Sequence, residues 1–213
     1  MDVTREPAPT EVATYGIESL LGRGGMGEVY LAEDRRLHRK VALKVLSAEF
    51  ATNASFRERF LAESELAASI DHPNIVPIYE ADEAGGYLYI AMRYVEGTDL
   101  KARLRQGPLP VDQAVDLLSQ VAGALDLAHE RGLVHRDVKP SNVLVAPGAG
   151  HDGQDHAYLA DFGLTTRLAD GGSLSEDGQL MGTVDYVAPE QITGGEVDGR
   201  ADVYSLGLVL IEG

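Results

Sequence analysis

Cysteine is absent from the 213-residue chain. No disulfide framework and no thiolate metal site can form, which fits a reducing compartment. Positive charge is scarce: 18 Lys and Arg stand against 34 Asp and Glu, a formal net charge of −16. No basic stripe runs along the chain, so the electrostatic footprint of a nucleic-acid binder is missing. Long apolar runs are missing as well. The longest near the C-terminus, Leu206 to Ile211, falls far short of the ~20 residues that span a bilayer. Met1 to Thr10 is polar and proline-bearing, without the cationic start and apolar centre of a signal peptide. No internal repeat occurs, and no G-x-x-x-x-G-K-S/T phosphate loop. What is left is an acidic chain with no membrane segment, expected in the cytoplasm and long enough for one domain or two small lobes.

The hydrophobic pattern changes character along the chain. Residues 1–12 read as a flexible tail. Tyr15 to Leu21 and Val29 to Glu33 read as strands around a glycine-rich turn, Gly22-Arg23-Gly24-Gly25-Met26-Gly27. Val41 to Leu46 is a third strand. Phe56 to Ser69 places Phe56, Phe60, Leu61 and Leu66 on one helical face, and Pro73 ends it. Ile75 to Tyr79 and Tyr87 to Tyr94 read as two more strands joined at Gly85-Gly86. The remainder is mostly helical. Thr98 is placed as N-cap of a short helix stopped by Gly107-Pro108. Asp112 to Arg131 is a long helix with Val115, Leu118, Val121, Ala122 and Leu125 on its apolar face, closed by Gly132. Val143 to Val145 and Ala157 to Ala160 are short strands, and Ala146 to Asp155 is a Gly- and Asp-rich loop. Its two histidines and two aspartates match no metal-ligand spacing. A last helix, from near Arg200, is apolar almost all round and expected in the middle of a domain.

Several motifs carry chemistry. Gly22, Gly24 and Gly27 form G-x-G-x-x-G, but Glu28 to Leu31 continues as a strand. The context is a hairpin and not the strand-to-helix turn of a dinucleotide fold. Glycines there let backbone approach phosphate oxygens closely, although an ordinary Gly-rich turn has the same composition. Lys44 lies mid-strand, either as a solvated edge lysine or as a paired cation. His135-Arg136-Asp137-Val138-Lys139-Pro140-Ser141-Asn142 follows the long helix and precedes a strand. That order lets Asp137, Lys139 and Asn142 point into one cleft, where an acid, a cation and an amide suit a hydroxyl reacting beside a metal-bound phosphate. Asp161-Phe162-Gly163 and Ala188-Pro189-Glu190 follow. Each motif alone is explained by polar loop residues capping backbone; their order and spacing together are not.

In this set the chain resembles the eukaryotic-like serine/threonine protein kinases, bacterial ones in particular. The resemblance covers roughly residues 14–213. It implies an α+β, bilobal fold: a five-stranded antiparallel N-lobe with one helix over residues 13–95, and a mainly helical, partial C-lobe over 96–213 that lacks its last helices. It implies ATP and Mg²⁺ (or Mn²⁺ in its place) as cofactors, with protein Ser/Thr hydroxyls as acceptors, the chain itself in trans among them. By resemblance Asp137 is the catalytic base and Lys139 neutralises the transferring phosphoryl group. Lys44 holds the α- and β-phosphates and is braced by Glu63, with Glu65 and Glu58 as nearby rivals. Asn142 and Asp161 hold the metal. The nucleotide contacts are Leu21, Gly22, Gly24, Gly25, Gly27, Val29, Ala42, Lys44, Met92, Val95 and Leu144. Arg136 can pair with a phosphate added at Thr165, Thr166, Ser173 or Ser175. Thr183 matches the threonine that contacts the catalytic loop, Glu190 closes the A-P-E motif, and Asp202 ties down the loop backbone.

The family's C-terminal lobe continues through further helices, one of which supplies an arginine to the A-P-E glutamate. A chain ending at Gly213 leaves Glu190 without that partner and strips one wall from the last helix. It is expected to fold poorly and to be weakly active or inactive, with its full-length parent, membrane-anchored or not, as the active kinase. The competing function is an ATP-binding, pseudokinase-like scaffold, which the intact Lys44, Asp137 and Asp161 oppose.

Overall fold

The computed structural model describes residues 9–162 and 184–213. The chain divides into two compact units, Met1–Leu61 with Ile78–Tyr94, and Ala62–Pro77 with Val95–Gly213. The first is built on a six-stranded antiparallel sheet in the order β1-β2-β3-β4-β6-β5. Its strands are β1 (Glu11–Val12), β2 (Tyr15–Gly24), β3 (Gly27–Asp34), β4 (Arg39–Leu46), β5 (Ile78–Ala84) and β6 (Tyr87–Arg93). The sheet therefore has one strand more than the five expected. β1 is only two residues long and gives no alternation to read, yet Glu11 and Val12 pair with Gly16 and Tyr15. A second helix also appears: α1 (Ala48–Ala51) precedes α2 (Ala54–Ala68), whose N-terminus is capped by Asn53 Oδ1 accepting from Phe56 N–H at 3.0 Å.

Strand alternation sorts the sheet's two faces. Val41, Leu43 and Val45 of β4 pack with Val12, Tyr15, Tyr30, Ala32, Tyr89 and Ala91 as one buried cluster. Tyr15 and Tyr89 cross edge-to-face at 5.8 Å and both donate to Glu80, at 2.5 and 3.1 Å. Glu80 sits on β5, with three strands between it and β2 in the sheet order, so the sheet curls to bring the two together. Burial, with Glu80's carboxylate beside each hydroxyl, pushes both tyrosine pKa values up. The turn between β5 and β6 is Gly85-Gly86, with φ of 59° and 82°, the backbone a two-residue hairpin of this kind requires.

The second unit holds β7 (Thr98–Asp99), α3 (Leu100–Leu104), α4 (Val111–Glu130), β8 (Val143–Ala146), β9 (His156–Leu159), α5 (Pro189–Thr193) and α6 (Gly199–Glu212). β7, β8 and β9 form a three-stranded sheet. Three sequence expectations are corrected here. Ile75 belongs to no strand of the large sheet: Val76 N–H donates to Leu159 at 3.0 Å and Leu159 N–H to Asn74 at 2.7 Å, which ties this segment to β9. Pro77, with no N–H to give a ladder, then separates it from β5. The cap of α3 is Asp99 and not Thr98, since Asp99 Oδ1 accepts from Ala102 N–H at 2.7 Å while Thr98 pairs with Val145. On α4 the buried stripe is Ala114, Leu117, Leu118, Val121, Ala124, Leu125 and Ala128, at three- and four-residue spacing, and Val115 is 47% exposed. Gly132, at φ 75°, ends α4, and Leu133 N–H donates back to Ala128 at 2.9 Å, the bond that closes a helix through a left-handed glycine. α6 buries one stripe, Ala201, Asp202, Ser205 and Val209, while Val203, Tyr204, Leu210 and Ile211 are exposed.

The glycines of the β2–β3 hairpin serve different needs. A Cβ on Gly27 would lie 2.2 Å from the Val45 carbonyl oxygen, whereas one on Gly22 would meet nothing within 4 Å. Gly27→Ala is therefore expected to cost about 1–3 kcal/mol of stability, while Gly22→Ala stays within about 0.5 kcal/mol. Urea unfolding of the two variants checks the contrast, and equal losses would contradict it.

Candidate active site

In the first unit several of the residues expected to contact nucleotide share one face of the sheet. Val29 lies opposite Lys44, and Lys44 opposite Ile90; one pleat further, Leu31 lies opposite Ala42 and Ala42 opposite Met92. Partners directly across a ladder share a face, so Val29, Ala42, Lys44 and Met92 line up on the side away from the Val41, Leu43 and Val45 core. Gly22 pairs with Val29 in the next strand, and Gly24 with Gly27 at the turn that contains Gly25. Leu21 is exposed, Met92 is buried and Lys44 is half-buried. The hairpin is cross-braced by an ion pair, Arg23 to Glu28 at 2.9 Å.

In the second unit the segment from His135 to Asn142 is fixed from several sides. Asp202, on the first turn of α6, is completely buried. Its Oδ2 accepts the His135 N–H at 2.7 Å and its Oδ1 the Arg136 N–H at 2.7 Å. His129 Nε2, from the last turn of α4, donates to the same carboxylate at 2.7 Å. Three donors offset the cost of burying the charge. A Cβ on Gly199 would come within 2.7 Å of the His129 ring, so a larger residue there would have to displace the imidazole from this arrangement.

His135 is buried and its ring bridges two backbone groups. Nε2 donates to the Ala160 carbonyl at 3.0 Å, and Nδ1 accepts the Asp137 N–H at 3.2 Å. These partners set the tautomer: the proton is on Nε2. Burial pushes the His135 pKa down from its ordinary value, against the opposing pull of Asp202 and the Ala160 bond. The Phe162 ring covers it at 4.8 Å.

The carboxylate of Asp137 receives Lys139 Nζ at 2.7 Å and Asn142 Nδ2 at 3.0 Å, both on Oδ2. Asn142 Nδ2 also donates to the Asp137 carbonyl at 2.8 Å. With its amide nitrogen committed, the atom Asn142 has left for a cation is Oδ1. Asn142's own carbonyl accepts the Ala160 N–H at 2.9 Å, one residue before Asp161. An amide oxygen and a carboxylate make the oxygen donor set that a hard divalent cation prefers. Arg136 and Asp161 both have left-handed backbone, at φ 64° and 57°. For residues other than glycine this conformation costs of order 1–3 kcal/mol and persists only where its surroundings hold it.

Glu63 lies on α2, and Val95 and Leu144 belong to the second unit. Glu190 opens α5, where its carbonyl accepts the Gly195 N–H at 2.9 Å. Gly163, Thr165, Thr166, Ser173, Ser175 and Thr183 lie outside the described residues. In the 146–155 loop, Asp155 is tied to Arg103 at 2.5 Å and to Gln113 at 3.1 Å, and the guanidinium holds its carboxyl below the usual carboxylate range. Sequence reasoning passed over His129 and also Gln191, whose Nε2 donates to the Arg136 carbonyl at 2.9 Å. Gln191 had a signal available: glutamine three positions into a helix that opens with Ala-Pro is half of a capping box.

A family model described as the protein kinase domain matches residues 15–213. Among curated relatives, the serine/threonine-protein kinase PknD of Mycobacterium tuberculosis is 47% identical over 204 residues, covering 95% of this chain and 30% of that protein. PknJ of Mycobacterium bovis is 46% identical over 198 residues, covering 93% and 33%. The chain thus spans about a third of the length of the curated relatives it matches. Among solved structures, the kinase domain of Mycobacterium tuberculosis PknI superposes with a TM-score of 0.73 at 40% identity, covering 94% of this chain and 74% of that one.

Two outcomes follow from the buried groups. Asp202→Ala strands the buried His135 N–H and the part-buried Arg136 N–H and is expected to cost about 3–5 kcal/mol in chemical unfolding. For His135 the folded pKa is depressed, so the unfolded chain takes up the proton first, near pH 6.5. Stability is then fully present above that pH and falls as pH drops below it. Unfolding free energies between pH 7 and 5 should show this limb, and it should be shallower in His135→Phe; identical slopes would contradict the assignment.

Proposed function

The chain belongs to the protein kinase family and has its α+β fold, and from that premise we propose that it transfers the γ-phosphoryl group of ATP to serine and threonine hydroxyls of proteins, its own activation segment included. The observation that carries this reading is the Asp137 carboxylate, held by Lys139 and Asn142 at 2.7 and 3.0 Å. A carboxylate so oriented aligns a hydroxyl and accepts its proton. The hydroxyl oxygen forms a bond to the γ-phosphorus, the bond from that phosphorus to the bridging oxygen of ADP breaks, and the proton goes to Asp137. Lys139, beside the base, offsets charge on the moving phosphoryl group. Mg²⁺, or Mn²⁺ in its place, supplies phosphate charge neutralisation when bound. Asn142 Oδ1 and the Asp161 carboxylate would hold it.

The first unit's share is the nucleotide. Lys44 contributes the phosphate-binding cation. Leu21, Val29, Ala42 and Met92 contribute apolar contacts to the base. The common face of Val29, Ala42, Lys44 and Met92 supports this assignment. Gly22, Gly24 and Gly25 give the phosphates a backbone without side chains. Gly27 keeps its place in the set, although packing against β4 already demands glycine there. Arg136 pairs with a phosphate on Thr165, Thr166, Ser173 or Ser175. Glu190 anchors the end of the segment, and Asp202 holds the loop backbone. The nucleotide-binding lobe is residues 13–95 and the catalytic lobe 96–213. No helix among the described residues is long and apolar enough to cross a membrane. We place the domain in the cytoplasm, where ATP and protein acceptors are both abundant.

Incubation with labelled ATP and Mg²⁺ tests the reading. The wild-type chain should label itself or an added Ser/Thr-rich protein such as casein. Asp137→Ala and Lys44→Met should each lose about 100-fold or more of that transfer. Label on serine or threonine in the wild type alone supports the enzyme. Nucleotide binding without transfer by any of the three would instead indicate a scaffold.

A further inference from the structure

The backbone around Asp137 carries more restraint than a loop needs. Arg136 has left-handed backbone with φ of 64°, which an arginine does not hold by itself. Asp202 fixes its N–H, as described. The next peptide unit, which joins Arg136 to Asp137, is held at both edges. Its carbonyl oxygen accepts from Gln191 Nε2 at 2.9 Å, and its N–H donates to His135 Nδ1 at 3.2 Å. A peptide unit is planar, so bonds on two opposite edges stop it rotating about the Cα–Cα axis. Fixing that rotation fixes ψ of Arg136 and φ of Asp137, and hence the direction in which Asp137 projects its side chain.

The amide of Gln191 is itself fixed. Its Oε1 accepts the Ala188 N–H at 3.2 Å. Exchanging the amide's nitrogen and oxygen would set oxygen against the Arg136 carbonyl and nitrogen against the Ala188 N–H, two mismatched pairs. One side chain therefore reads both partners at once. It stands at the third position of α5, directly after Ala188-Pro189-Glu190, on an element 52 residues or more along the chain from Asp137.

We propose that Gln191 is a positioning residue for Asp137: by donating to the Arg136 carbonyl it locks the 136–137 peptide, so that the placement of α5 sets the aim of the base. The proposal rests on the phosphotransfer reading for what Asp137 does. The lock itself can be measured without ATP.

Three substitutions of similar length separate the two bonds. Gln191→Glu keeps an acceptor for the Ala188 N–H but presents a carboxylate to the Arg136 carbonyl. Gln191→Lys supplies a donor to that carbonyl and no acceptor to Ala188. Gln191→Met supplies neither. If positioning matters, Glu and Met lower kcat by about 10- to 100-fold at an ATP KM within about twofold of wild type, and Lys restores most of the rate. A helix-capping role alone would order the variants the other way, with Glu active and Lys impaired, and would overturn the proposal. Amide hydrogen exchange at Asp137 gives the independent readout on the full chain. It should be faster in the Glu and Met variants than in wild type or Lys. Unchanged exchange in all three would overturn the lock, whether or not transfer is observed. Wild type without transfer, but with the expected exchange pattern, would instead sink the phosphotransfer reading and leave the lock standing.

Discussion

One buried carboxylate organises the second unit. Asp202 has no access to solvent, so its charge survives only because His129 and two consecutive backbone N–H groups are aimed at it. The constraint runs in both directions. The loop holds the left-handed turn at Arg136 because Asp202 pulls on its N–H, and α6 can bury a charge on its first turn because the loop supplies the donors. The neutral ring of His135 then passes this order along, from the Asp137 amide to the Ala160 carbonyl next to Asp161. The proposed base and the residue before a candidate metal ligand are connected through one imidazole.

The first unit solves a different problem. Its two sheet faces are sharply unlike. One is filled by Val41, Leu43, Val45 and three tyrosines; the other presents Val29, Ala42, Lys44 and Met92 in register. Alternation alone produces this division. A lysine in the middle of a strand of valines and leucines is tolerable because its neighbours on both sides point the opposite way. The glycine hairpin shows how one motif can combine causes. Gly27 answers to the carbonyl of Val45, and Gly22 to no protein neighbour.

Much of this was legible in the sequence wherever a local signal was strong. The paired glycines at 85 and 86, the apolar stripe of α4, Gly132 at its end and the strands flanking the glycine turn all emerged from period and turn chemistry. The grouping of Asp137, Lys139 and Asn142 was legible because the three stand within six residues of one another, and the structure brings both donors onto the Asp137 carboxylate. What escaped was short or tertiary. β1 and α1 have two and four residues, fewer than any period needs. Thr98 and Asp99 are both good caps, and only the pairing of Thr98 with β8 decides between them. Ile75 sits in a β-like run, yet its neighbours bond to β9. Val115 fits the helical period of α4 but lies at the edge of its buried stripe. His129 carries no unusual local pattern, and the half capping box at Gln191 points only to Ala188; the importance of both comes from partners far away in the chain.

The bond from Tyr15 to Glu80 joins residues 65 positions apart, and the first unit is closed by the return of residues 78–94 after an excursion of sixteen residues into the second. During synthesis, β2, β3 and β4 leave the ribosome before β6 exists to cover the flank of β4. At about 5–20 residues per second, that flank stays a bare ladder for some seconds, a period in which a chaperone or a neighbouring nascent chain can reach it. The pairing of β6 with β4 thus marks the moment at which that flank stops being open to strand theft.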